Sequence, residues 1–194
     1  MDKKYILPFL FLVVALVQLW VPASMIWKSE SVLNDGKVFR FKTAPIDPVD
    51  PFRGKYVTLA FDVDEQISTA DVVWYKDEYV YVKVLADSEG FAEIESISKK
   101  QPDDSSDYFK TTVRYAGKDE NGANVRLHFP FDKYYMEESK AFEAEVAVRE
   151  LAQDRSQVAY AIVSIQDGEA RLKEVMVNEV PLKDWVEQMM EERE

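Results

Sequence analysis

Cysteine is absent from the 194 residues. That removes disulfides, thiol catalysis, thiolate metal sites and a lipid-modified cysteine. Only one histidine occurs, His128. A zinc shell around it would have to be completed by carboxylates. It stands on an alternating stretch with Val125, Leu127 and Phe129, which reads as a strand with His128 as a structural or rim residue. Positive charge is scarce: 24 Lys and Arg stand against 36 Asp and Glu, for a net −12. Such a balance argues against nucleic acid and against adhesion to anionic lipid. No internal repeat occurs at the 20–50-residue periods of solenoids or propellers. No pattern calls for a cofactor.

Long apolar runs are also scarce, with one exception at the start. Residues 5–21 contain a single strongly polar side chain, Gln18. Counting on to Trp27 gives the roughly 20 residues of helix that a hydrocarbon slab requires. Tyr5 marks one edge, and Trp20 and Trp27 the other, as expected of rings that settle at headgroup depth. A cleaved signal and a permanent anchor share these features. The run exceeds the usual h-region of about 7–15 residues. The small-residue site Pro22-Ala23-Ser24 is followed by bulky Met25, Ile26 and Trp27, which favours an anchor. Lys3 and Lys4 bias the N-terminus to the cytoplasm. These features divide the chain into a cytoplasmic start and transmembrane anchor, 1–27, and an extracytoplasmic domain, 28–194. Asp2, Lys3 and Lys4 contribute +1 between them, so the domain carries about −13.

The expected domain is α+β: one transmembrane helix, then a β-rich, mainly antiparallel unit of about eight strands with two short helices. Helix continues from the anchor to the stop signal Asn34-Asp35-Gly36. Strands are predicted at Lys37–Lys42 and Tyr56–Val63, separated by a Pro-rich bend at Pro45–Gly54. In the second strand Val57, Leu59, Phe61 and Val63 share one face. Asp71–Tyr75 is ambiguous. Hairpins are predicted for Tyr79–Leu85 with Phe91–Ile97, for Tyr108–Tyr115 with Ala123–Phe129, and for Val158–Ile165 with Ala170–Val177. Pro102–Asp107 reads as an acidic loop. Glu138–Asp154 reads as helix on composition, although Phe142, Ala144, Val146 and Val148 alternate as in a strand. A terminal amphipathic helix follows Pro181, from Leu182 to Glu192.

One compact signature stands out: Asp47-Pro48-Val49-Asp50-Pro51-Phe52-Arg53-Gly54-Lys55-Tyr56-Val57-Thr58-Leu59-Ala60-Phe61. It resembles the GDYXXLXY family of uncharacterised, membrane-anchored bacterial proteins, whose motif is D-P-x-D-P-x-R-G-D-Y-x-x-L-x-Y. The stretch from His128 to Glu138 is similar to that family's second, aromatic and acidic block. The resemblance covers most of residues 1–180. Lys55 stands where the motif has Asp, and Phe61 where it has its last Tyr. The charge reversal at Lys55 argues against metal binding or acid–base work there. The resemblance implies no established activity, but members look like operon neighbours of polytopic membrane proteins, which points to a role in a membrane complex with such a partner.

The motif residues Asp47, Asp50, Arg53, Gly54, Tyr56, Leu59 and Phe61 are the candidate binding residues. One reading is architectural: Asp47 and Asp50 accept backbone N–H bonds in the bend, Arg53 pairs with one of them, and Tyr56, Leu59 and Phe61 seat the strand. The other is a recognition loop stiffened by prolines, with Arg53 and Tyr56 at its tip. Two acidic groups, Asp62/Asp64/Glu65 and Asp103/Asp104/Asp107, offer oxygens to Ca²⁺, but neither has EF-hand spacing. No metal or catalytic residue is therefore assigned. An enzyme reading exists in Ser24-Met25 after the anchor, similar to membrane-bound Ser/Lys peptidases of the signal peptidase type. It lacks the Pro that follows in those enzymes and a Lys-Arg pair on an apolar strand. The expectation is thus a non-enzymatic accessory or interaction subunit at the bacterial inner membrane. The Ser/Lys hydrolase and a ligand- or cation-sensing module are the alternatives.

Overall fold

A computed structural model of the chain describes residues 3–43, 56–64, 67–69, 72–102, 107–119, 122–135 and 158–191. The Pro-rich bend, most of the acidic loop and the segment from Glu138 to Asp154 lie outside these residues.

Helix α1 (Lys3–Asp35) is unbroken, Pro8 and Pro22 included. It is long and apolar enough to cross a membrane, and none of its most apolar window is buried against the rest of the chain. Strand β1 (Lys37–Lys42) follows at once. Then come β2 (Tyr56–Thr58), a 3-10 turn (Asp62–Asp64), β3 (Ile67–Thr69), β4 (Tyr79–Ala86) and β5 (Ala92–Ser98). The chain continues through β6 (Tyr108–Asp119), β7 (Gly122–Leu127), β8 (Lys133–Tyr135), β9 (Ala159–Gln166), β10 (Glu169–Val177) and β11 (Val180–Pro181). Helix α2 (Leu182–Glu191) closes it.

The strands form three sheets. One has the order β1-β9-β10-β11, one β3-β7-β6-β4-β5, and a small one pairs β2 with β8. All ladders between these strands are antiparallel. The fold is α+β and β-rich, as the residues imply. The three predicted hairpins are the pairs β4–β5, β6–β7 and β9–β10. Asp167 and Gly168 both take positive φ, 49° and 81°, between the paired residues Gln166 and Glu169. Such a two-residue turn matches the twist of the strands it joins. In the β6–β7 hairpin the ladder runs on to Asp119, so the strand consumes residues that composition assigns to the loop. Residues 72–75 are irregular.

Alternation decides the core. Val80, Val82 and Val84 of β4, Phe39 and Phe41 of β1, and Val125 and Leu127 of β7 are all buried, with the intervening residues outside or part-buried. Strand β9 is buried on both faces. Val163 and Ala161 face the core with their β1 partners Phe39 and Phe41, and Ile165 faces it opposite the exposed Lys37. Ser164 faces the other way and is fully buried under α1. On α2, Leu182 and Val186 are buried, four residues apart on one face.

One predicted strand is shorter than expected. Tyr56–Val63 makes only three residues of ladder, paired with β8. The Leu59 N–H then donates to the Asp132 carbonyl at 2.7 Å, and Phe61 bridges to Thr43 after β1. The burial pattern survives, with Leu59 and Phe61 inside and Val63 packed against the core. The segment changes partner mid-way because it crosses between two sheets, which period-two alternation does not reveal.

Candidate functional site

Of the candidate binding residues, Asp47, Asp50, Arg53 and Gly54 lie outside the described residues. Tyr56 opens β2, in register with Tyr135 of the second aromatic block. Leu59 is buried, and Phe61 sits in a cluster of five phenylalanines. Its ring centroid is 6.0 Å from Phe41, 5.1 Å from Phe129 and 5.2 Å from Phe131. Phe109 completes the cluster, 5.6 Å from Phe131. The tilted and edge-to-face arrangements are those the ring quadrupoles favour. Two stretches that look separate in sequence, 56–61 and 128–135, thus meet twice: in the β2–β8 ladder and in the ring cluster. A tyrosine at position 61 would bring a hydroxyl into this apolar cluster, so phenylalanine suits the site.

Next to this block, the Tyr134 hydroxyl donates to Glu174 Oε1 at 2.5 Å. Burial first, and then this carboxylate, push the phenol well above its ordinary range. The proton therefore stays on Tyr134 at any physiological pH, and the pair is a lock rather than an acid–base couple.

A second constellation joins α1 to the domain. Val32 is buried at 3% exposure. Its carbonyl accepts the Ser164 hydroxyl at 2.6 Å and the Gly36 N–H at 3.1 Å. One turn earlier, Lys28 Nζ lies 2.8 Å from Glu169 Oε1, and Arg171 Nη2 lies 3.0 Å from Glu169 Oε2. Arg171 Nε also donates to Ser29 Oγ at 3.3 Å. The Lys28 hydrogen bond, aided by Arg171 and opposed by burial, holds the Glu169 carboxyl below the usual glutamate range. Lys37 pairs with Asp107 beside this junction. Gly36 is required by close approach: a Cβ there would lie 2.5 Å from Ser164 Oγ and closer still to the Val32 carbonyl oxygen. Sequence reading takes Gly36 as a stop signal and passes over Ser164, Glu169 and Arg171. The one available hint is Ser164, a small polar residue inside an apolar strand.

The domain surface carries exposed tyrosines. Tyr75, Tyr79, Tyr115 and Tyr135 are each more than half exposed. Lys110 sits 4.2 Å over Tyr79, and Lys99 sits over both Trp74 and Tyr75. Lys99 also bonds Glu78 at 2.7 Å, and that bond lowers the Glu78 pKa.

Ser24 Oγ donates to the Val21 carbonyl of its own helix at 2.7 Å. His128 is exposed, with its backbone engaged by Thr111 and Thr112. Asp62 and Asp64 lie in the 3-10 turn, and Asp107 is held by Lys37. Among the described residues no group of three His, Asp or Glu is placed to hold a metal.

The sequence model of the family described as GDYXXLXY protein matches residues 18–175. The chain belongs to the GDYXXLXY family. The match begins inside α1 and ends in β10, so the C-terminal half of the helix, the junction and the phenylalanine cluster are all part of the GDYXXLXY unit. No curated protein and no solved structure matches the chain.

Proposed function

We propose that this GDYXXLXY protein is a single-pass protein of the bacterial inner membrane, with its N-terminus in the cytoplasm and residues 28–194 outside it. Its role is that of a non-enzymatic accessory or interaction subunit, serving a polytopic membrane protein or an envelope complex. The observation that carries this reading is α1: an apolar helix with its bulk unburied, which continues without a break into a folded, acidic domain. A helix that is apolar all round and uncovered by its own chain suits a bilayer. The Pro-rich loop carrying Asp47, Asp50, Arg53 and Gly54 is the recognition element. Tyr56, Leu59 and Phe61 fix its far end to β2 and to the core.

The absence of cysteine makes topology easy to test. Ser88→Cys, on the exposed β4–β5 turn, should react with a membrane-impermeant maleimide in spheroplasts. Asp2→Cys should react only after lysis. The reverse pattern would refute the orientation. For the role, full-length protein captured from native membranes should retain a polytopic partner. A folded Arg53→Ala variant should lose it. Equal retention by both would remove the loop from recognition.

A further inference from the structure

Gln18 is the one strongly polar side chain in the apolar stretch of α1, and it is exposed. It stands about 14 Å of helix away from Trp27 and farther from Tyr5. A glutamine side chain cannot span that distance to the headgroups, as a lysine or arginine near an end can. Its amide has two donors and an acceptor that hydrocarbon leaves unpaired.

The junction fixes where this residue points. From Gln18, intervals of seven, four and three residues lead to Met25, Ser29 and Val32. That spacing keeps all four on one face of an α-helix. Ser29 and Val32 are the residues through which α1 grips Arg171 and β9. Phe9, Leu16, Trp20 and Trp27 follow the same kind of spacing on the opposite face, and all are exposed. So the polar position lies beneath the domain, and the bulky lipid-suited rings lie away from it. The β9–β10 turn overhangs the Gln18 face, because Glu169 reaches Lys28, on the membrane side of Val32.

We propose that the Gln18 face of α1, with Ala15 and Met25, is the docking surface for a transmembrane helix of an integral membrane partner. That helix presents a hydrogen-bonding group at mid-bilayer depth and emerges under the β9–β10 turn. A second copy of this chain is the poorer occupant. Two domains of about −13 would be brought together on the same side, with like charges opposed. This inference rests on the membrane-spanning reading above and names the surface that the accessory role uses.

The test places a photo-crosslinking amino acid singly at Ala15, Gln18 and Met25, and at Leu16, Trp20 and Trp27, in the full chain in its native membrane. Expected is one adduct with an integral membrane protein from the first three positions and its loss from the other three. Gln18→Leu should lower the adduct formed from position 15 by about threefold or more, the loss one average interhelical hydrogen bond produces. Alkaline carbonate extraction separates the failures. Release of the unmodified chain from the membrane overturns both the anchor and the docking face. A retained chain that gives only lipid adducts, equal adducts from both faces, or adducts with its own copies overturns the docking face alone.

Discussion

The junction between α1 and β9 is the place to perturb the molecule. Replacing Gly36 by alanine would drive a Cβ against a backbone carbonyl, Val32 O, and to within 2.5 Å of Ser164 Oγ, with Ile165 O at 3.1 Å. A carbonyl of a helix end cannot swing aside as a side chain can. Either α1 lifts from β9, or β1 shifts against it. Overpacking of this kind costs about 1–3 kcal/mol. Lifting α1 also forfeits the two hydrogen bonds to the Val32 carbonyl, each worth about 1 kcal/mol. A total near 3–5 kcal/mol corresponds to a fall in Tm of roughly 6–20 °C for a chain of this size. Circular dichroism melts in lipid nanodiscs would measure it. A control separates clash from simple loss of glycine. Ser164→Ala alone should cost about 1 kcal/mol, by removing the buried hydroxyl's bond. Combined with Gly36→Ala it should cost less than the sum, since one of the two colliding atoms is gone. An unchanged Tm for Gly36→Ala, or strict additivity in the double variant, would refute the account of the junction.

Three further outcomes follow from other contacts. Phe131→Ala removes a ring that touches four others and should lower stability by about 3–5 kcal/mol in urea unfolding. Phe61→Tyr restores the family's residue but buries a hydroxyl among rings, and should cost about 1–3 kcal/mol; an unchanged midpoint would reveal a partner within reach. The grip of Lys28 on Glu169 should be pH-dependent. The folded-state pKa of Glu169 is depressed, so the stabilisation is complete above the ordinary glutamate value of about 4.3 and disappears as pH falls through the lower folded value. Protection against hydrogen exchange at Val32 and Gly36, relative to the intrinsic rate at each pH, should fall over that acid range, and Glu169→Gln should flatten the profile.

The hairpins were legible because each couples a period-two pattern to a nearby turn residue, as Ala159–Val177 does around Asp167-Gly168. Local rules suffice where the partner is the next strand. They fail where it is not. The pairing of Lys37 with Ile165, or of Tyr56 with Tyr135, spans so much chain that no spacing encodes it. Tyr56–Val63 shows the limit: its buried side was readable, its change of partner was not. The candidate site divides the same way. Leu59 and Phe61 announce themselves as apolar alternates. The junction depends on Ser164 and Arg171, single residues with no periodic signal, made meaningful only by the helix that lands on them.

The unbroken α1 has a mechanical consequence. Its 33 residues make a rod of about 50 Å, clamped at one end with no linker before β1. A helix in a bilayer changes its tilt when the hydrocarbon thickness changes. With such a rod, a change of about 10° displaces one end relative to the other by roughly 9 Å. The acidic domain would then move as a lever arm, and its distance from a neighbouring membrane protein would report the thickness and packing of the membrane itself.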